Sequence, residues 1–507
     1  MNKASPGPAS FAALRDAVLK GREPPPVQSA ARLAAYPWLV VGAVCIGAVM
    51  GQVDSSIAQM VLPTLEHEFG ARLSTVSWVA VAYLLTMAAF MPIFGRLADT
   101  VGRKLLYTSG FLIFVLGSAL CGTATSLPVL IAYRVLQAIG AALLSSNSFA
   151  IVVTAAGPDR RGRAVGILSA AQAVGLGAGP TIGGLVMDTL GWQWVFWINV
   201  PVGLIGAVVG WFVLPQTTNL SDDSRFDWKG AFLIVPGLTA LMMVLNEVHA
   251  WGVTSPALLG CALLAVILLT LFVRTEQRAV PPLVDLALFR ESAFSIGNAA
   301  SFMSYAALFG IFFLMPFVFV RVYQDSALAA GLRLSIVPVM LGVIAPIGGL
   351  LYDRLGARIV TVSGMLFCVA GLVLLFSTAD GTPGSLPPVM LALAAFGVGQ
   401  GLFTPPNNSA IMAAAPTNQT GEAGSLLNVT RFFGIGFGIA TASSLLSWRL
   451  EVLTGQGGDT IHVAGLDLLS ASRDVMLLLV GFAALAGAAS LIRPRQRPSD
   501  GATEALT

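Results

Sequence analysis

Two charged residues stand where charge is expensive. Asp54 lies in Val53-Asp54-Ser55-Ser56-Ile57-Ala58 and Arg134 in Arg134-Val135-Leu136-Gln137-Ala138-Ile139-Gly140-Ala141-Ala142, each inside an otherwise apolar run. An ionised carboxylate at a bilayer centre costs about 2.5–3.5 kcal/mol even on the lenient insertion scale, so Asp54 needs a polar cavity or a proton. Burial favours the acid and a nearby cation favours the carboxylate, so one such group can exchange a proton for a cationic substrate. The alternative is a helix-end aspartate bonded to Ser55 or Ser56 near the outer surface. Arg134 keeps its charge at any working pH. Either it faces a hydrated cavity, bonded to Gln137 or a backbone carbonyl and biasing proton release, or it snorkels and pins neighbouring helices.

Other chemistry finds little support. Cys45, Cys121, Cys261 and Cys368 each stand alone in an apolar run, and His67, His249 and His462 form no His-x-x-x-His pair. Neither a metal nor a cofactor is expected. A Gly-x-x-x-x-Gly-Lys-Ser/Thr loop is missing, so ATP is not the expected energy source, and no nucleophile with a base argues for an enzyme. Secondary proton or substrate candidates are Glu247, Glu422, Asn428 and Arg431, together with Pro405-Pro406-Asn407-Asn408, which reads as a broken helix lining a cavity.

These side chains need a membrane scaffold to position them. Of the 507 residues 56% are hydrophobic and 10% charged, and the mean hydropathy is +0.82. A soluble domain carries about 25% charged residues, so most of this chain must be solvated by lipid. A net charge of +3 is too small to imply nucleic-acid binding. About fourteen apolar runs reach the ~20 residues that a spanning helix needs, beginning near 38–60 and ending near 474–492. With the N-terminus inside, about 21 Lys and Arg residues fall on the inner side and about 4 on the outer, a strong positive-inside signal that places both termini in the cytoplasm. The opening residues are polar and read as a cytoplasmic tail, not a signal peptide.

Two further strings mark the scaffold. Gly95-Arg96-Leu97-Ala98-Asp99-Thr100-Val101-Gly102-Arg103-Lys104 joins two apolar runs, and a weaker copy, Gly349-Leu350-Leu351-Tyr352-Asp353-Arg354-Leu355-Gly356-Ala357-Arg358, follows half a chain later. The protein therefore reads as two related halves. Gly175-Leu176-Gly177-Ala178-Gly179-Pro180-Thr181-Ile182-Gly183-Gly184 supplies small residues for close helix approach and a proline for a bend, as a rocking contact between halves requires.

Together these strings resemble the major facilitator superfamily, and specifically its fourteen-span drug:proton antiporter family, the EmrB/QacA-type multidrug exporters. The first loop is similar to that family's motif A, with Thr100 in place of a basic residue; Arg134 to Ala142 is similar to motif B, with Ala138 where glycine is common; Gly175 to Gly184 is similar to the antiporter motif C. Val53-Asp54 with Val61-Leu62-Pro63, and Trp192-Gln193-Trp194-Val195-Phe196-Trp197-Ile198-Asn199-Val200-Pro201, resemble further signatures of the branch. The resemblance implies an all-α membrane protein of the major facilitator fold, with two pseudo-symmetric six-helix bundles (37–215 and 291–492), two inserted helices (216–290), and cytoplasmic tails at 1–36 and 493–507. It implies a bacterial inner-membrane exporter that moves hydrophobic or cationic drug-like molecules against protons by alternating access, in contact with membrane lipid and with a periplasmic adaptor protein as an optional partner. A dedicated exporter of one antibiotic, siderophore or lipid-like metabolite is the alternative. Asp54, Arg134 and Gln137 are then the coupling and substrate residues. Gly95, Asp99, Gly102, Arg103, Lys104, Asp353 and Arg354 form a gate latch, and Gly175, Gly179, Pro180, Gly183 and Gly184 the antiporter helix.

Overall fold

The computed structural model describes residues 23–157, 160–217, 227–279, 282, 284–416, 420–455, 460 and 463–494, apart from the side chains at 99, 249, 420, 421, 422 and 425. Among them no strand occurs, and fourteen helices are long and apolar enough to cross a bilayer. The first six are α1 (Tyr36–Phe69), α2 (Leu73–Val101), α3 (Arg103–Cys121), α4 (Leu127–Ala156), α5 (Arg161–Leu190) and α6 (Trp194–Val213). Two follow, α7 (Trp228–Trp251) and α8 (Pro256–Glu276), then α9 (Ser292–Val322), α10 (Ala327–Leu355), α11 (Ala357–Thr378), α12 (Leu386–Ala414), α13 (Thr420–Thr454) and α14 (Gly465–Ile492).

The second bundle repeats the first. In the first, α1 packs on α5, α2 on α4, and α3 on α4 and α6; in the second, α9 packs on α13, α10 on α12, and α11 on α12 and α14. The repeated loop is realised in both: α2 turns into α3 at Gly102 (φ 115°) and α10 into α11 at Gly356 (φ 78°), backbone angles that a side chain strongly disfavours. Close helix contact is repeated too. A Cβ on Gly140 of α4 would collide with the backbone of Phe114 in α3, and one on Gly364 of α11 would lie 2.7 Å from the Gly399 carbonyl in α12.

The bundles meet along two seams, α2 with α13 and α5 with α10. The inserted helix α7 packs on both α2 and α13, so it covers the first seam. Its pegs are polar: Ser77 donates to Asn246 (2.9 Å), Asn246 donates to the Ser74 carbonyl (3.0 Å), and Trp78 Nε1 donates to Glu247 (2.6 Å). Burial follows position. The apolar windows of α2 and α9 are 89% buried within the protein and that of α8 only 17%, which leaves α8 to be solvated by lipid.

Two expectations from the sequence need correction. Pro405 and Pro406 do not break their helix, since α12 runs continuously through both. The Gly401 carbonyl, which Pro405 leaves without its usual donor, lies against Gly348 of α10, where a Cβ would come within 2.7 Å of it. The first run was expected to end near residue 60, yet α1 continues to Phe69 and stops at Gly70 in the left-handed conformation (φ 55°). A backbone cap, not the loss of apolar residues, sets that end.

If the α3–α4 contact holds the first bundle together, Gly140→Ala will lower the unfolding midpoint in detergent by the equivalent of about 1–3 kcal/mol. Gly260→Ala on α8, where a Cβ meets nothing within 4 Å, will be neutral or stabilising. Equal midpoints for the two variants would contradict this packing.

Candidate functional site

Asp54 lies near the middle of α1 and is fully buried. Its carboxylate accepts from donors on two other helices. Arg134 Nη1 donates to Oδ2 (2.7 Å), while Gln137 Nε2 (2.8 Å) and Asn199 Nδ2 (2.9 Å) donate to Oδ1. Arg134 and Gln137 stand one turn apart on α4, the spacing that brings two side chains to one face. The ring of bonds closes on itself. Arg134 Nη1 also donates to Gln137 Oε1 (2.6 Å), Arg134 Nε to the Val79 carbonyl (3.1 Å), and Gln137 and Asn199 both to Ser118 Oγ (3.0 and 3.2 Å), which in turn donates to the Phe196 carbonyl (2.9 Å).

Arg134 is 1% exposed, with its guanidinium 4.0 Å from the centre of the Tyr83 ring and 5.7 Å from that of Phe196. Tyr83 Oη is buried close to Asp54. The donors all complement a carboxylate, and both members of the pair are buried. Ser56, by contrast, donates to the Gln52 and Val53 carbonyls of its own helix (2.9 and 3.2 Å). Sequence reasoning did not single out Asn199, Ser118 or Tyr83. Asn199 carried a signal, standing as the lone asparagine of the sixth apolar run.

The Gly95–Lys104 loop lies at one end of the molecule, here called the basic face. Lys104 is buried and donates to the Pro24 and Leu214 carbonyls (2.7 and 2.8 Å). Arg103 N donates to Thr217 Oγ1 (2.9 Å), and Glu23 accepts from Leu105 N (3.0 Å) and Thr217 N (2.8 Å). These bonds clamp the chain on either side of the first bundle beneath the loop, where Glu23 lies against Gly102. The Asp99 and Glu422 side chains lie outside the described residues; Asp353 and Arg354 are exposed on the same face. In the second bundle a buried cation occupies the comparable end: Arg493 donates to the Ala293 carbonyl (3.4 Å), and burial pulls its guanidinium down to about 10.

The small residues of α5 divide between two partners. Gly175, Gly179 and Gly183 face α1 at Val49, Ser56 and Ile57, whereas Gly184 abuts Ala327 and the Pro180 carbonyl abuts Gly331 of α10. The same helix carries cross-bundle bonds: Thr181 Oγ1 to Ser335 Oγ (2.7 Å), and Asp188, which accepts from the Ala327 and Leu328 amides (3.2 and 3.0 Å) at the N-terminus of α10. An acid at a helix N-terminus is favoured there by the unpaired amides. Glu66 accepts from Thr460 N (2.7 Å) and Thr460 Oγ1, and Arg321 donates to the Pro63 carbonyl (3.5 Å). These bonds all lie toward the face opposite the basic one. Toward the basic face, a Cβ on Gly162 or Gly166 of α5, or on Gly342 or Gly349 of α10, meets nothing within 4 Å.

The secondary candidates are dispersed. Glu247 belongs to the α7 peg on α2, and Asn428 donates to the Gly424 carbonyl of its own helix (3.1 Å). Arg431 reaches across the interface to Gln52 of α1 (3.0 Å). Among the described residues no three His, Cys, Asp or Glu side chains come together as a metal site.

Comparison with known proteins agrees with this architecture. The family model described as Major Facilitator Superfamily matches residues 44–439. The chain is 33% identical over 413 residues to the riboflavin transporter RibZ of Clostridioides difficile, covering 82% of this chain and 89% of the relative. It is 31% identical over 418 residues to a multidrug resistance protein B homolog of Mycobacterium tuberculosis, covering 81% and 76%. Among solved structures, a bacterial homolog of the human lysosomal transporter Spinster, inward-facing and unoccupied, aligns with a TM-score of 0.65 at 16% identity, covering 92% of this chain and 100% of that one. On the family match and the fourteen-helix fold, the chain belongs to the Major Facilitator Superfamily and is a multi-pass membrane transporter, not an enzyme.

Proposed function

We propose that this transporter exports amphipathic small molecules across a bacterial inner membrane in exchange for protons, with the basic face in the cytoplasm. The observation that carries the reading is the buried Asp54 carboxylate, held by Arg134, Gln137 and Asn199 in the middle of the first bundle. The charge bias of the loops supports the orientation. Cross-bundle bonds at the opposite face, with no helix against the Cβ positions of Gly162, Gly166, Gly342 and Gly349 nearer the basic one, support a cytoplasm-facing state.

The coupling step follows from the geometry. A proton on Asp54 Oδ2 cancels the charge that Arg134 pairs with, and breaking a buried pair costs about 3–5 kcal/mol if nothing replaces the partner. Arg134 retains the Gln137 and Val79 carbonyls, and its guanidinium lies on Tyr83. Val79 and Tyr83 belong to α2, the helix that packs on α13 across the seam. Protonation therefore changes what α2 is anchored to, and the seam between bundles is where that change is felt. One charge crossing about 100 mV is worth about 2.3 kcal/mol and one pH unit about 1.4. Together they sustain a gradient of a few hundredfold for a neutral cargo exchanged for one proton.

The 33% identity to a protein named as a riboflavin transporter favours a second reading, in which the cargo is one planar metabolite and not a range of drugs. A compound panel in cells lacking other pumps separates the two.

In inverted membrane vesicles Asp54→Asn will lose at least about tenfold of proton-driven dye accumulation, the loss of one buried charge–charge partner; undiminished coupled transport would sink the role of Asp54. Arg134→Lys keeps a charge beside Asp54 but cannot also hold Val79 and Gln137, so we expect equilibrium cargo binding near the parent value with turnover reduced at least about tenfold. Parallel loss of both would point to misfolding instead. Asp188→Ala removes two bonds at the face opposite the loop, worth about 1 kcal/mol each. Spin-label distances across that face should then show a larger open population, and an unchanged distribution would contradict the closure described above.

A further inference from the structure

We propose that Arg431 is the polar anchor for the cargo and selects neutral or anionic planar molecules with an acceptor edge over cations. The inference rests on the transport reading above and departs from the cationic cargo that the sequence resemblance implied.

Arg431 stands on α13, and its Nη2 donates to Gln52 Oε1 of α1 at 3.0 Å, so the guanidinium lies between the two bundles. Gln52 precedes Asp54 by two residues on α1, so the two side chains leave different faces of that helix and Arg431 is not part of the coupling pair. Unlike Arg134, Arg431 is partly exposed. A guanidinium has five N–H donors and keeps its charge at any working pH. The one hydrogen bond that Arg431 makes goes to a neutral amide, and its buried Nε has no partner.

The contrast with the other paired arginines is chemical. Arg134 pairs with Asp54, Arg333 with Asp325 and Arg449 with Asp474, whereas among the described residues Arg431 has no carboxylate partner. Asp54 and Arg134 offset each other's charge, which no described carboxylate does for Arg431. An unpaired charge at that depth is costly to maintain, and an acceptor brought in by cargo would complete its bonding. The surroundings suit a flat molecule. The Tyr305 ring centre lies 5.1 Å and the Phe432 ring centre 5.7 Å from the guanidinium carbon, and Phe302 contacts Phe433 and Phe437, which follow Arg431 on α13. A planar cargo can stack on the partly exposed rings of Phe302, Phe433 and Phe437 while its carbonyl, phenolate or carboxylate edge accepts from Arg431. A cation in the same place faces a like charge with no local carboxylate free to offset it.

The test is equilibrium binding to the full-length protein in nanodiscs, with three probes: fluorescein, a xanthene anion; rhodamine 123, a cation on the same skeleton; and riboflavin, planar and neutral. The parent protein is expected to bind fluorescein and riboflavin at least tenfold more tightly than rhodamine 123. Arg431→Gln should lower fluorescein affinity at least tenfold and abolish the preference, and Arg431→Lys should restore part of the fluorescein binding; unfolding midpoints near the parent value confirm that both variants fold. Fluorescein binding no tighter than that of rhodamine 123, or a preference unaffected in Arg431→Gln, overturns the proposal. Proton coupling fails separately: if Asp54→Asn transports as the parent does while the anion preference still depends on Arg431, the coupling reading falls and the cargo assignment stands.

Discussion

A carboxylate in the middle of a bilayer is tolerable only while something holds its charge, and in this protein the holder is Arg134. That one pair explains why so much of the first bundle is arranged as it is. Gln137 follows Arg134 by one turn, Asn199 closes the ring from α6, and Ser118 orients both amides from α3. Each of these groups is nearly fully buried, where an unsatisfied donor or acceptor would cost about 1–3 kcal/mol. The network is therefore either complete or badly strained, and on the proposed coupling a proton at Asp54 would move it from one condition to the other.

The consequence reaches the seams because Arg134 is anchored to α2 as well as to Asp54. α2 is packed almost entirely within the protein, lies on α13, and is pegged by α7, whereas among the described residues neither inserted helix packs on the other seam, between α5 and α10. The two seams are equivalent by the internal repeat but not by their surroundings. Along α5 and α10 the small residues make backbone contact at the face opposite the loop, whereas a Cβ on Gly162, Gly166, Gly342 or Gly349 nearer the basic face would touch no neighbour, the asymmetry that a wedge requires. Rigid-body rocking about such a wedge changes which face is open without altering either bundle's core.

How much of this was legible in the sequence depended on how far each feature relies on distant partners. Asp54, Arg134 and Gln137 stood out because charge and amide groups in apolar runs are expensive wherever the chain folds. The repeated loop declared itself through glycines that both structures of the repeat use at positive φ. Asn199 was harder, since a single neutral amide is cheap enough to be incidental. Asp188 could not be read at all, because its role as a cap for α10 exists only once the bundles meet. Lys104, placed in a latch by resemblance, bonds to Pro24 and Leu214, partners that no local spacing announces. Pro405 and Pro406 misled for a related reason: the helix persists where a neighbouring glycine lets another backbone approach the freed carbonyl.

Infrared difference spectroscopy tests the central claim most directly, because it reads the protonated carboxyl group of Asp54 itself. Reconstituted protein carried between low and high pH, with and without cargo, should show a carboxylic-acid stretch that appears on acidification, diminishes when cargo binds, and is missing from Asp54→Asn. A protein whose spectrum lacks that band throughout the working pH range, while cargo is still exchanged for protons, would contradict the account.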